Sequence, residues 1–186
     1  MKMLLVVGCL LAVGCKATDP NASEFGPARG ESVLSFSGSI SDRAIEPAGF
    51  PTTKNTSLIA QVGYGYYLSD TSEIGARLSL DLFDSNVPSS DRDLIDLSLL
   101  YNYIFNKSPR TWWYVGADAG VVHVDDDGSG QSDDFAWGLH VGMRQWVTPS
   151  TAIVIEPFYK NTEFETLSGT ADEDRFGVLF GVQVTL

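Results

Sequence analysis

Two groups of side chains in this sequence have the chemistry to do something beyond packing. The first is the run 123–135, HVDDDGSGQSDDF, in which Asp125, Asp126, Asp127, Asp133 and Asp134 place five carboxylates within ten residues. Carboxylates at that density suit a hard divalent cation. The order Asp125, Asp127, Ser129, Gly130 also follows the start of a helix-loop-helix calcium loop. That loop closes with a bidentate Glu, and Ala136 stands at its place with no helical pattern on either side. A helix-flanked calcium site is therefore excluded. A weak divalent-cation site on an acidic tip and a plain solvated charge run both remain open.

The second group is scattered but in phase. Arg77, Asp81, Asp96, Asp118, His140, Arg144, Glu156 and Lys160 lie singly among apolar residues. They fall on one face of whatever elements carry them. Three fixed cations (Arg77, Arg144, Lys160) stand against four carboxylates (Asp81, Asp96, Asp118, Glu156). Brought together in a confined space, such a set must pair, because an unpaired buried charge is too costly. Arg144 and Glu156 are the first pair expected, with Arg77 and Asp81 joining the network.

The elements that must position both groups have period two. Apolar side chains alternate with Gly, Ser and polar residues through eight runs: Leu34–Ile40, Leu58–Leu68, Ile74–Leu82, Ile95–Phe105, Trp113–Val121, Phe135–Met143, Ile153–Tyr159 and Phe176–Leu186. Strict alternation is the signature of β-strands, and strands of about 9–11 residues cross a bilayer at a tilt. No helical period appears after residue 14. Connections alternate in length as well: 41–56, 84–93, 125–134 and 161–174 are long, and 69–72, 106–110 and 148–151 are short. The pattern is an up-and-down meander with its long loops all at one end.

Which face is apolar decides the solvent. In a water-soluble barrel the outside is charged and the inside bulky and apolar. Here charge is scarce in the strands, and the face opposite the branched and aromatic residues is mostly Gly and Ser. Small residues cannot fill an apolar core but can line a narrow polar lumen, so the bulky face is expected to meet lipid. A sheet in lipid must close on itself. Phe105, Trp112, Trp113, Trp146 and Tyr67 gather towards the short-turn end, and Phe83, Phe135, Trp137, Tyr159 and Phe176 towards the other. They read as two interfacial girdles. The expected fold is thus all-β: a closed eight-stranded antiparallel up-and-down transmembrane barrel over 32–186.

Trp113-Tyr-Val-Gly-Ala-Asp-Ala-Gly-Val121 resembles the Tyr-x-Gly-x-Gly strand of the small outer-membrane barrels of the OmpA and OmpX kind, a porin-family type of domain, with Asp118 where a glycine is common. The last eleven residues, from Phe176, resemble the C-terminal strand that the barrel-assembly machinery reads, with Leu186 in place of the usual Phe. The resemblance covers 32–186. It implies a bacterial outer-membrane location, outer-membrane lipid and lipopolysaccharide as surroundings, assembly through that last strand, and a monomer. Small barrels that deacylate lipid A carry a His-x-Ser pair. His140 is followed by Val141 and Gly142, so no such nucleophile is present. The palmitoyl-transferring type begins with an amphipathic helix, which 16–31 does not show. No enzymatic activity and no cofactor are expected.

The N-terminus reads as an export signal. Lys2 precedes the apolar run 3–14, too short to span a bilayer as a helix. Ala12-Val13-Gly14-Cys15 resembles a lipobox, which makes Cys15 the expected lipidation site; cleavage near Ala17 is the alternative. The expected division is a signal at 1–14, a periplasmic tether at 15–31 and the barrel at 32–186. With 24 acidic against 12 basic residues, a net charge of −12, nucleic acid is excluded as a partner. The function expected is a structural or surface-interacting one, with an ion-paired lumen and acidic outer loops. The alternatives are a narrow gated pore for ions or small solutes, and a lipocalin-like periplasmic lipoprotein that binds an apolar ligand.

Overall fold

The computed structural model describes residues 25–45, 53–85, 92–126, 130–166 and 169–186. The export signal, Cys15 and the first part of the expected tether lie outside them. Eight strands follow one another: β1 (Ser32–Ile45), β2 (Thr53–Ser69), β3 (Ser72–Ser85), β4 (Arg92–Lys107), β5 (Thr111–Asp126), β6 (Gly130–Thr148), β7 (Thr151–Thr166) and β8 (Gly169–Thr185). Each pairs antiparallel with the next, and β8 pairs with β1, so the sheet is a closed up-and-down barrel.

The alternation read from the sequence sets which side chain points where. Leu97, Leu99, Phe180 and Ile40 are 62%, 74%, 60% and 74% exposed on the outside. Their chain neighbours Asp96, Ser98 and Leu179 are buried inside, as is Gln183. Register slips occur at Tyr67/Ser69, Ile104/Asn106 and Trp146/Thr148, all beside the short turns.

The long connections 41–56, 125–134 and 161–174 are largely strand: β5 runs to Asp126 and β6 resumes at Gly130, with Asp125 opposite Gln131. Strands of 14 to 19 residues exceed the ~9–11 that cross a bilayer, so the hairpins continue past an apolar band. The closing seam is also short. Pairing between β1 and β8 runs only from Val33↔Thr185 to Gly38↔Phe180, so Ser39–Ile45 is paired on the β2 side alone.

Three of the aromatics expected in a girdle point inward instead. Tyr67, Trp112 and Trp146 share the phase of Gly65, Tyr114 and Arg144 and are 0%, 1% and 1% exposed. They form one apolar cluster with Phe25, Val33, Ile104 and Val154. Trp112 and Trp146 meet edge to face at 5.1 Å. Phe105, Trp113, Phe135 and Phe176 do lie exposed on the outside.

Residues 25–31, the last part of the expected tether, are packed rather than extended. Phe25 enters the Trp112–Trp146 cluster, and Pro27 is fully buried. Gly26 has φ +82°, and a Cβ there would strike the Trp112 ring, so only glycine fits. Its N–H donates to the Pro149 carbonyl at 2.8 Å, and the Gly30 N–H donates to the Tyr67 carbonyl at 2.8 Å. Arg110 lies over the Phe25 ring at 4.8 Å and Lys107 over Trp112 at 3.9 Å. Burial holds the Lys107 ammonium below the usual lysine range. The segment closes the short-turn mouth of the barrel with aromatic side chains.

Candidate functional site: the lumen network

Between that aromatic plug and a small apolar cluster at the other end (Leu94, Val122, Val124, Ala136), the lumen is ionic. Arg144 of β6 donates through Nη2 to Glu73 Oε2 at 2.6 Å, and its other terminal nitrogen donates to the Tyr67 hydroxyl. Asn102 Nδ2 also donates to Glu73 Oε2, at 3.1 Å. This fixes the amide so that its oxygen faces His140 Nε2 at 2.6 Å, and Nε2 therefore carries the hydrogen. His140 Nδ1 faces Asp118 Oδ2 at 3.5 Å. Lys160 joins Asp118 (Oδ1, 3.1 Å), Asp96 and the Ser98 hydroxyl (3.1 Å). Arg77 Nη2 reaches Glu156 Oε1 at 2.9 Å, and Tyr114 Oη donates to Glu156 Oε2 at 2.6 Å. Arg175 pairs with Asp81, which also accepts from Ser57 Oγ at 2.8 Å.

All eight inward-phase residues singled out in the sequence thus line the lumen, but the pairing differs from the one expected. Arg144 and Glu156 are separated by Tyr114. The Arg144 guanidinium stacks over the Tyr114 ring at 4.2 Å while the Tyr114 hydroxyl holds Glu156. Arg144 therefore turns across the lumen to Glu73, and Glu156 takes Arg77. Arg77 and Asp81, expected in one network, go to different partners.

Glu73 and Arg175 fall between the connections and the alternating runs of the sequence, 69–72 and Ile74 for the first, 161–174 and Phe176 for the second, so neither is among the expected lumen residues. Each continues the inward phase of its strand: Glu73 precedes Gly75 and Arg77, and Arg175 precedes Gly177. With them the lumen holds four fixed cations (Arg77, Arg144, Lys160, Arg175) and five carboxylates (Glu73, Asp81, Asp96, Asp118, Glu156), with His140 beside Asp118. Charges buried this deeply persist only when paired and hydrogen-bonded.

The glycines on the inner face make room for these groups. A Cβ on Gly142 would strike the Tyr114 ring, and one on Gly116 would meet both His140 Nε2 and Asn102 Oδ1. Gly142→Val is expected to push Tyr114 off Glu156 and cost about 1–3 kcal/mol, read as a lower urea midpoint of the refolded barrel. An unchanged midpoint would show that Tyr114 can be displaced freely.

Two cavities lie in line along the axis. Both are small, with about 30 Å³ of water-accessible space each; the outer one is bounded by Asp81, Asp96, Asp118, Lys160 and Arg175 among others, and the inner one by Glu73, Tyr114, Arg144, Glu156 and Gln183. Arg77 lines both, so the Arg77–Glu156 pair stands between them.

Of the acidic tip, the side chains of Asp133 and Asp134 are described, and they lie apart. Asp133 is exposed and held by His123 Nδ1 at 2.7 Å, whereas Asp134 is buried and accepts from Ser132 Oγ at 2.6 Å. Consecutive residues of a strand point to opposite faces, so the two cannot share an ion. The backbones of Asp125 and Asp126 belong to β5, and Asp127 lies outside the described residues. No group of three or more His, Cys, Asp or Glu among the described residues could hold a metal ion.

No protein-family model matches the sequence, and no curated protein matches it. Solved structures do. Neisserial surface protein A aligns at 17% identity over 87% of this chain and 100% of its own, with a TM-score of 0.57. The outer membrane protein OprG from Pseudomonas aeruginosa aligns at 11% identity over 87% of this chain and 98% of its own, with a TM-score of 0.51. At such identities the likeness is one of fold. This chain has the closed eight-stranded antiparallel β-barrel fold of the outer-membrane type, with a lumen lined by buried ion pairs.

Proposed function

We propose that the protein is an integral outer-membrane barrel with a structural or surface-interacting role, closed along its axis and carrying acidic hairpins outside the cell. The observation that carries this reading is the inverted distribution of side chains. Branched and aromatic residues face outward, while Arg144, Glu156, Asp96 and Glu73 are at most 5% exposed inside. In water such an exterior would be a barrel-wide apolar patch; in lipid it is the required surface. A lipocalin-like binder needs the opposite arrangement, an apolar cavity within a wet exterior. Outer-membrane lipid and lipopolysaccharide are then its surroundings, and its C-terminal strand is the natural contact for assembly. Export by the 1–14 signal with lipidation at Cys15 fits the same placement, because the plug puts residue 25 at the short-turn mouth.

Membrane fractionation followed by gel electrophoresis without boiling tests the reading. The expected result is outer-membrane recovery and a folded form that migrates faster than the boiled one. Recovery in the soluble periplasmic extract, with the same mobility boiled or not, would contradict it.

A narrow pore is the second reading, favoured by the two cavities in line across the Arg77–Glu156 pair. It would require that pair to part and the aromatic plug to clear the mouth.

A further inference from the structure

An aromatic shelf crosses three adjacent strands on the outer face. Trp137 of β6 and Tyr159 of β7 have ring centroids 5.5 Å apart, and Tyr159 and Phe176 of β8 are 4.9 Å apart. Phe176 is 79% exposed, so one ring face is open. Directly beyond the shelf, away from the short turns, stands Asp174. Its Oδ1 accepts from the Tyr159 hydroxyl at 2.6 Å and from Asn161 Nδ2 at 3.0 Å. These two donors fix the carboxylate against the rings, and the hydrogen bonds from Asn161 and Tyr159 hold the Asp174 carboxyl below the usual carboxylate range. Glu163 is exposed two residues past Asn161 on the same strand. Arg175, next along β8, points the other way, onto Asp81 in the lumen.

The place of this constellation matters. Phe176 is the last outward apolar residue of its strand, and Asp174 is the first charged one beyond it. On the reading that the barrel spans the outer membrane, the rings sit at the hydrocarbon boundary and the carboxylate at headgroup height in the outer leaflet. We propose that Trp137, Tyr159, Phe176 and Asp174 form a binding shelf for the ammonium headgroup of an outer-leaflet lipid. A positive group over an aromatic face is drawn by the ring quadrupole. The oriented carboxylate supplies the counter-charge. A phosphate at the same spot would meet Asp174 and Glu163 with like charge, which selects an ammonium lipid over an anionic one.

The test uses the full chain refolded in non-ionic maltoside micelles, followed through the indole N–H resonance of Trp137, assigned by its loss in Trp137→Phe. Short-chain phosphatidylcholine is expected to shift that resonance at lower concentration than free choline. Choline should act more strongly than its uncharged isostere, 3,3-dimethylbutan-1-ol, and methyl glucoside should leave the resonance in place. Asp174→Asn and Phe176→Leu should each weaken the response about tenfold. Tyr159→Phe, which keeps the ring, should weaken it less.

Equal response to the isostere would reduce the shelf to apolar contact, and a response to methyl glucoside matching choline would make it a sugar site. Choline acting at or below the lipid's concentration would remove the lipid assignment. Parent-like binding by both Asp174→Asn and Phe176→Leu would overturn the site altogether. Loss of heat-modifiable folding in a variant identifies misfolding rather than lost binding. Failure of the parent chain itself to fold in micelles or lipid would count against the membrane reading, whereas a folded parent that binds no choline lipid would sink only the shelf.

Discussion

Arg144→Ala is expected to destabilise the refolded barrel by about 3–5 kcal/mol, the usual effect of removing one partner from a buried ion pair. Arg144 is 3% exposed, and its side chain serves three neighbours at once: Glu73, the Tyr67 hydroxyl and the face of the Tyr114 ring. Its loss takes the paired cation from the buried Glu73 carboxylate, and the neutral Asn102 amide that also donates to it does not replace that charge. Most of the cost then lies in the stranded charge, not in the lost contact. The double variant Arg144→Met/Glu73→Gln should therefore be more stable than Arg144→Met alone, although it has lost both ionic groups. Urea titration in lipid vesicles reads both effects. A single variant with the parent's midpoint, or a double variant weaker than the single, would show that Glu73 is solvated and that the lumen is not the closed environment described above.

Trp112→Ala should have an effect of comparable size, about 3–5 kcal/mol, because it empties the centre of the aromatic plug. Trp112 is 1% exposed, abuts Trp146 and forms the wall against which Gly26 is pressed. The consequence for transport is separate. On the reading that the barrel is closed along its axis, two of its obstructions are the Arg77–Glu156 pair between the cavities and the plug below them. Glu156→Ala alone is expected to stay electrically silent in planar bilayers. Trp112→Ala combined with Glu156→Ala should show discrete conductance steps, since both obstructions are then reduced. Conductance in Glu156→Ala alone would mean that the ion pair is the whole gate and that the plug is permeable to ions.

Much of this architecture is legible in the sequence because its cause is local. Period-two alternation sets each strand's faces, and a residue such as Asp96 or Lys160 is placed inside by phase alone. Partner choice is not local. Whether Arg144 meets Glu156 or Glu73 depends on Tyr114 standing between strands, and Tyr114 can stand there only because position 142 on the facing strand is glycine. Strand ends are equally hard to read. Glu73 lies one residue inside β3, and Arg175 lies within β8 but just ahead of the alternating apolar run that starts at Phe176, where turn-like composition hides the inward phase. The plug is hidden in the sequence for a different reason: the Asn, Ser, Gly and Pro of residues 16–31 resemble a linker, and the single large apolar residue among them, Phe25, carries no periodicity. The placement of Trp112, Trp146 and Tyr67 near the short turns suggests a lipid-facing girdle, but their phase is that of the lumen.

The central claim is that the apolar exterior lies in lipid and the ionic interior does not. Leu99 and Ser98 are consecutive in β4, the first 74% exposed and the second 1%. With Cys9 and Cys15 replaced by Ala, Leu99→Cys can carry an environment-sensitive fluorophore on the refolded full chain in vesicles. The label should emit as in hydrocarbon and be quenched by nitroxide groups on the lipid chains, while iodide in the water phase leaves it bright. Emission typical of water, with iodide quenching and no effect of the lipid nitroxides, would contradict the account.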